Sequence, residues 1–372
     1  MVETKPTHVL TTPRYDGASL PNLVATVEER LVGSSPHKTL EPGIADLIPH
    51  GETYVLVVID GLGVRQLDHP DAQDIRSHQV ATLDAPFPTT TTVSLACIAT
   101  AQPPSQHGLL AYTLHLPEHD TVVNTIRWTT LWGEATKLDT DDFLPAPNTW
   151  ERLKAGGVEA ITVQPANFEG SSLTRLLYRG CRFEPAHSEQ EIVNATVELA
   201  AQPGRLIVTY IPHVDFAAHL YGQQHEKYAE AITTVSTIWS RLSERLADNV
   251  TLVGTADHGH VDFPREQRFK IDRADHEGRV LFGDSRVMMV KGDGAAMAEG
   301  LPATWVPIDE MVHMWGPAPH HTSFAERIPD GALVAEDGWV LLHRHADDRM
   351  LGNHGGTTPE EMHIPLLVRR AR

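Results

Sequence analysis

Three carboxylates and three imidazoles, Asp60, Asp215, His219, Asp257, His258 and His354, stand at positions from which metal ions can be held. Asp60 closes the apolar run YVLVVID, Asp215 and His219 follow RLIVTYIP, Asp257 and His258 follow VTLVGTA, and His354 precedes two glycines. A lone Asp at a strand end is ordinarily a turn or capping residue. The spacing of four between Asp215 and His219 changes that reading, because on a helix it puts both side chains on one face. Adjacent Asp257 and His258 can aim at a common ion only from a turn at a strand end, where Gly259 would let backbone and ligand come close. Carboxylate oxygen combined with imidazole nitrogen suits zinc, with manganese and iron as alternatives. The stretch FPTTTTVSLACIAT adds the hydroxyls of Thr89 to Thr92 just ahead of a helix-like segment from about Val93 to Thr100. They either cap that helix, or one of them is a nucleophile activated by a metal at a helix N-terminus whose free N–H groups attract phosphate oxygens.

The elements that must carry these residues alternate. YVLVVID, Val158 to Ala166, RLIVTYIP and VTLVGTAD read as short buried parallel strands. Ser188 and Glu191 form a capping-box signature that opens a helix through Ala201, and a second helical stretch runs from about His225 to Ala247. This alternation predicts an α/β fold: a doubly wound, mostly parallel sheet with helices on both faces, and ligands bound beyond the carboxyl ends of its strands. IPLLVRR from Ile364 supplies a final strand. The expectation is a single α/β domain over 1–372, with the irregular stretch 263–350 an inserted cap or lid subdomain having structure of its own.

Composition narrows the partners. Asp and Glu outnumber Lys and Arg by 49 to 30, a formal net charge of -19, which argues against binding duplex nucleic acid. A small anionic substrate would then find its positive charge in bound metal ions. Cys97 and Cys181 form no CxxC pair and are expected to be reduced. MVETKPTHVLTTPRYDG lacks an apolar stretch of signal-peptide length and no segment is long enough to span a bilayer, so the expected location is cytoplasmic. Nothing in the sequence defines the oligomeric state.

From about Tyr54 to Leu367 the chain resembles the alkaline phosphatase superfamily, most closely its nucleotide pyrophosphatase/phosphodiesterase branch. Pro88, Thr89, Thr91, Thr100, His107 and Gly108 match the nucleophile stretch of that branch without a gap, and the match selects Thr91 among its neighbours. Its metal motifs align with Asp60-Gly61, with Asp215 and His219, with Asp257-His258-Gly259, and with His354. The resemblance implies one divalent ion held by Asp60, Asp257 and His258 beside Thr91, and another by Asp215, His219 and His354. It also implies hydrolysis of a small phosphoester, such as a nucleotide, through a phosphothreonine. Two divalent ions against three carboxylates leave about +1, and a Thr91 alkoxide brings the site to roughly neutral, which suits a monoanionic diester.

Two residues depart from the family pattern. Tyr112 stands where an Asn usually helps hold a phosphate oxygen and is expected to bind substrate; His260 replaces the Met of D-H-G-M and is expected to line the substrate pocket or to back a metal ligand, with a plain solvent-facing residue as the alternative. A phosphomonoesterase or a phosphonoacetate-type phosphonate hydrolase would use the same ligands, and a monoesterase would favour extra cations such as Arg65, Arg127 or Arg175. The C/S-x-P-x-R stretch of sulfatases is missing, since Cys97 is followed by IAT. A metal-binding pseudoenzyme is the non-catalytic alternative.

Overall fold

Every residue of Thr53–Ile59 is buried, as a run so rich in β-branched and apolar side chains requires of a strand covered on both faces. The computed structural model, which describes residues 10–140 and 143–369, places this strand at the centre of a seven-stranded sheet. The first nine residues of the N-terminal stretch considered above lie outside the described residues. The strand order is Gln79–Asp84, His363–Val368, Val250–Thr255, Thr53–Ile59, Arg205–Ile211, Glu159–Pro165 and Arg182–Ala186. All neighbours pair in parallel except His363–Val368, which is antiparallel to both of its partners.

Register makes the functional edge. Ile59 pairs with Ile211, and Val58 with Thr255, so three strands finish in step and Asp60, Asp215 and Asp257 leave at one rim. Helices cover both sides of the sheet. One group contains Leu20–Val32, Thr91–Thr100, Thr149–Ala155 and Ser172–Leu177; another contains Glu189–Ala200, His213–Tyr221 and Glu226–Arg245. The predicted cap at Ser188 forms, its side chain accepting the Glu191 N–H at 3.2 Å. Glu191 also reaches back, though it accepts from His187 N–H, one residue earlier than an ideal box.

A second seven-stranded sheet, antiparallel throughout, joins Ala303–Pro307, Gly331–Ala335, Val287–Lys291 and Val280–Gly283 to Thr113–Leu116, Thr121–Asn124 and Thr129–Thr130. Thus 263–350 supplies four strands of this sheet, which is continued by three strands from far earlier in the chain. Alternation along Val287–Lys291 feeds two cores: Val287 and Met289 join the main core, while Met288 and Val290 pack in a separate cluster with Leu281, Leu301, Leu333 and Leu341. Among the described residues, no helix is long and apolar enough to cross a membrane.

Candidate active site

Asp60 leaves its strand at a turn locked to the helix His213–Tyr221. Asp60 N–H donates to the Ile211 carbonyl and Asp215 N–H to the Asp60 carbonyl, each at 3.0 Å. Gly61 follows with φ +75°, a left-handed turn that favours glycine, and donates its N–H to Asp257 Oδ1 at 3.0 Å. Asp60, Asp257 and His258 thereby converge: His258 Nε2 lies 3.5 Å from Asp60 Oδ1 and 3.4 Å from Asp257 Oδ2. Those two carboxylate oxygens are buried and have no hydrogen-bond partner. The other oxygen of Asp60 accepts a hydrogen bond from the Tyr210 hydroxyl.

Asp215 and His219 share a helix face as their spacing predicts, and His354 meets them. Their closest approaches are 3.3 Å between His219 Nε2 and Asp215 Oδ1, and 3.3 Å between His219 Nε2 and His354 Nε2. The two groups adjoin, with the His258 and His354 rings stacked at 3.7 Å. Three imidazoles are oriented alike. Nδ1 of His258 lies 3.0 Å from the Gly259 carbonyl, that of His219 2.8 Å from Gly352, and that of His354 2.8 Å from Thr89. Carbonyls only accept, so Nδ1 carries the proton and each Nε2 lone pair faces the cluster, the arrangement of a ligating imidazole.

Burial, reinforced by the charges of Asp215 and Asp257, pushes the Asp60 carboxyl well above the usual range. Burial also disfavours ionisation of Asp215, yet His219, His260 and His354 hold that carboxyl well below its ordinary value. Burial and the neighbouring His258 depress His354. Carboxylates this crowded repel one another, and divalent cations remove that repulsion. The orphaned oxygens and inward Nε2 atoms therefore fit metal ions, in groups formed by Asp60, Asp257 and His258 and by Asp215, His219, His354 and His260.

Thr91 is the first residue of the helix Thr91–Thr100, and its Oγ1 lies 3.1 Å from His258 Nε2. Of the four neighbouring threonines it alone is not buried. Thr89 Oγ1 donates to the Gly356 carbonyl at 2.9 Å and accepts Gly355 N–H at 3.1 Å, clamping the His354 loop to the helix start. Thr92 Oγ1 accepts from Thr125 at 2.9 Å, and Thr90 bonds Asp284. Capping does not account for the run: Thr90 is the N-cap residue but makes no side-chain cap bond.

The departures from the family pattern have definite places. Tyr112 OH accepts from Asn124 Nδ2 at 2.7 Å, while its N–H approaches Asp284 Oδ2 at 3.4 Å. His260, expected in the substrate pocket, is only 1% exposed and has Asp215 as its partner at 3.0 Å. Gly259 serves packing rather than a ligand, since a side chain there would collide with the Glu360 carbonyl. Arg65 lies 3.8 Å from both Asp68 and Glu360, Arg175 bonds the Gly170 carbonyl, and Arg127 lies near Tyr112, whose hydroxyl burial pushes up although the Asn124 hydrogen bond and the Arg127 charge oppose it; among the described residues none of the three arginines is paired with a cluster carboxylate.

Sequence reasoning missed Tyr210 and Asp284. Tyr210 sits inside a strand and carries no local signal. Asp284 follows the strand Val280–Gly283 as Asp60 follows its own, so the strand-end rule would have found it had that segment been read as a strand. Burial pushes the Asp284 carboxyl up to about 7.

An α/β fold whose parallel strands deliver carboxylates and imidazoles to one rim, beside a helix that opens on a threonine, is the layout of the phosphoester hydrolases this chain matches. The profile of the type I phosphodiesterase/nucleotide pyrophosphatase family matches residues 54–357, and the chain belongs to that family of phosphoester hydrolases. Its fold is similar to murine ectonucleotide pyrophosphatase/phosphodiesterase 5, with a TM-score of 0.63 and 20% identity, covering 84% of this chain and 87% of that one. An inactive threonine-to-alanine variant of the murine protein in complex with AMP matches equally well. Phosphonoacetate hydrolase from Sinorhizobium meliloti 1021, in complex with phosphonoacetate, is similar at a TM-score of 0.64 and 18% identity, covering 87% of this chain and 91% of that one.

Proposed function

We propose that the chain is a phosphodiesterase of nucleotide pyrophosphatase type, with Thr91 as nucleophile and two divalent ions, preferably zinc, held by Asp60, Asp257 and His258 and by Asp215, His219 and His354. The observation that carries this reading is Thr91 Oγ1, on the one threonine of its run that is not buried, 3.1 Å from an imidazole nitrogen at the junction of the clusters. When bound, the ions supply Lewis acidity and charge neutralisation. Thr91 attacks phosphorus in line, an alcohol or nucleoside phosphate departs, and water hydrolyses the phosphothreonine. The start of the helix Thr91–Thr100 directs backbone N–H groups at the phosphoryl oxygens. Thr89 holds the nucleophile turn against the His354 loop, and Tyr210 holds Asp60.

A second reading, hydrolysis of a phosphonate, is supported by the likeness to phosphonoacetate hydrolase and by Tyr112 in place of the Asn usual in the diesterases. A phosphomonoesterase would use the same ligands, but among the described residues Arg65, Arg127 and Arg175 form no ion pair with the cluster carboxylates. Metal-replete protein offered bis(p-nitrophenyl) phosphate, p-nitrophenyl phosphate and phosphonoacetate separates the three. The diester should turn over fastest, and a preference for either of the others overturns the diesterase assignment. Thr91→Ala should abolish turnover with both metals retained, whereas Thr90→Ala should keep most of the activity. An active Thr91→Ala variant would transfer the role to another group.

A further inference from the structure

His260 belongs to the same cluster as Asp215, His219 and His354, yet its ring is arranged in the opposite sense. The other three imidazoles donate Nδ1–H to backbone carbonyls and turn Nε2 inward. His260 instead has Nε2 3.0 Å from Asp215 Oδ1, while its Nδ1 is buried without a partner. A carboxylate only accepts, so the His260 proton resides on Nε2. If Nε2 were to bind an ion, the proton would have to move to Nδ1, leaving a buried N–H with no acceptor, which is unfavourable. A cationic ring would bury the same unpaired N–H.

We propose that His260 is a positioning residue rather than a fourth ligand: its Nε2–H hydrogen bond fixes the Asp215 carboxylate for the ion shared with His219 and His354. The surroundings hold the ring for that task. Gln66 Nε2 and Gln223 Nε2 donate to the His260 carbonyl at 2.8 and 3.2 Å, and the His219 and His354 rings flank it edge-on at 4.6 and 5.1 Å. Gly352 leaves the room that Nδ1 and Cε1 occupy, since a Cβ there would lie 2.6 Å from each. Partners that orient a metal ligand typically contribute about 10–100-fold to metal affinity. The inference rests on the assignment of Asp215, His219 and His354 as ligands.

The test is equilibrium binding of Zn²⁺ to the metal-free full chain against a chelating indicator, together with the visible spectrum of the Co²⁺-loaded protein. His260→Met, which keeps bulk and loses the donor, should weaken one of two sites by roughly 10–100-fold and leave the other unchanged. His260→Gln, whose amide N–H replaces Nε2–H, should restore affinity to within a few-fold of wild type, with a Co²⁺ spectrum that keeps the wild-type band intensity. A Gln variant as weak as the Met variant, with a changed Co²⁺ spectrum, would make His260 a ligand and overturn the proposal. Wild-type affinity in His260→Met would overturn it too, while leaving the metal assignment and the diesterase reading intact. A wild-type chain that binds no ion overturns both. Should His260→Met fail to fold, the Gln variant and its spectrum decide.

Discussion

Replacing Gly61 with alanine tests whether the turn after the central strand sets the spacing of the two clusters. A Cβ at Gly61 would lie 2.9 Å from both Cα and Cβ of Asp215 and 3.0 Å from its nitrogen, where ordinary contact is 3.4–4 Å. These atoms start a helix and cannot rotate away, so Asp215 must retreat by at least about half an ångström, which is the tolerance of a preorganised site. Its N–H bond to Asp60 would lengthen from 3.0 Å at the same time. A misplacement near 1 Å is worth roughly 100-fold in rate, and the left-handed backbone adds about 1–2 kcal/mol of strain. Gly204→Ala is the control, because φ there is +73° and nothing lies within 4 Å of the added methyl. Diester hydrolysis, zinc content after dialysis and urea unfolding would be measured on both variants. Gly61→Ala should lose about 100-fold in kcat/KM, shed metal and unfold earlier than the control, whereas Gly204→Ala should lose stability alone. Equal behaviour of the two would mean that strain, not the approach to Asp215, accounts for the glycine.

Other perturbations separate the contributions of neighbouring groups. Tyr210→Phe leaves Asp60 Oδ2 without its donor and should lower zinc affinity by about 10–100-fold, read by indicator competition; unchanged affinity would relegate the tyrosine to packing. Asp284 binds a proton in the folded state up to about pH 7 but loses it near pH 4 when unfolded, so its contribution to stability falls as pH rises through that interval, by at most about 4 kcal/mol. Asp284→Asn should therefore gain stability relative to wild type at pH 8 but not at pH 4, as followed by urea unfolding; a difference independent of pH would contradict the buried neutral carboxyl. Zinc should raise Tm progressively with concentration, each site contributing about 2.7 kcal/mol at one hundred times its Kd, and an insensitive Tm would mean that the clusters do not bind it.

The residues legible in the sequence are those whose position follows from strand ends. Asp60, Asp215 and Asp257 could be assigned to one rim because three buried runs each stop at a polar residue, and paired register brings those stops together. The four-residue step from Asp215 to His219 required only a helix. Thr91 was a different matter, since four adjacent hydroxyls look alike until the folded chain occupies three of them, and only family register singled it out. Tyr210 meets Asp60 only through folding, so local pattern carries no trace of that contact, whereas His260 stood out solely as a departure from the family pattern. The second sheet was obscure because its strands are short and Val287–Lys291 is buried on both faces, leaving no polar alternation to read.

The clamp between Thr89 and the His354 loop also has a kinetic meaning. Its partners lie 265 residues apart in the chain, and the antiparallel strand His363–Val368 must insert between two strands made much earlier. Contacts of such sequence separation form late, because loop closure must precede any gain from pairing. The strands that gather Asp60, Asp215 and Asp257 need the chain only as far as Asp257, so of the ligands proposed for the metal ions His354 is the last to be made. On that assignment a complete ligand set requires nearly the whole chain.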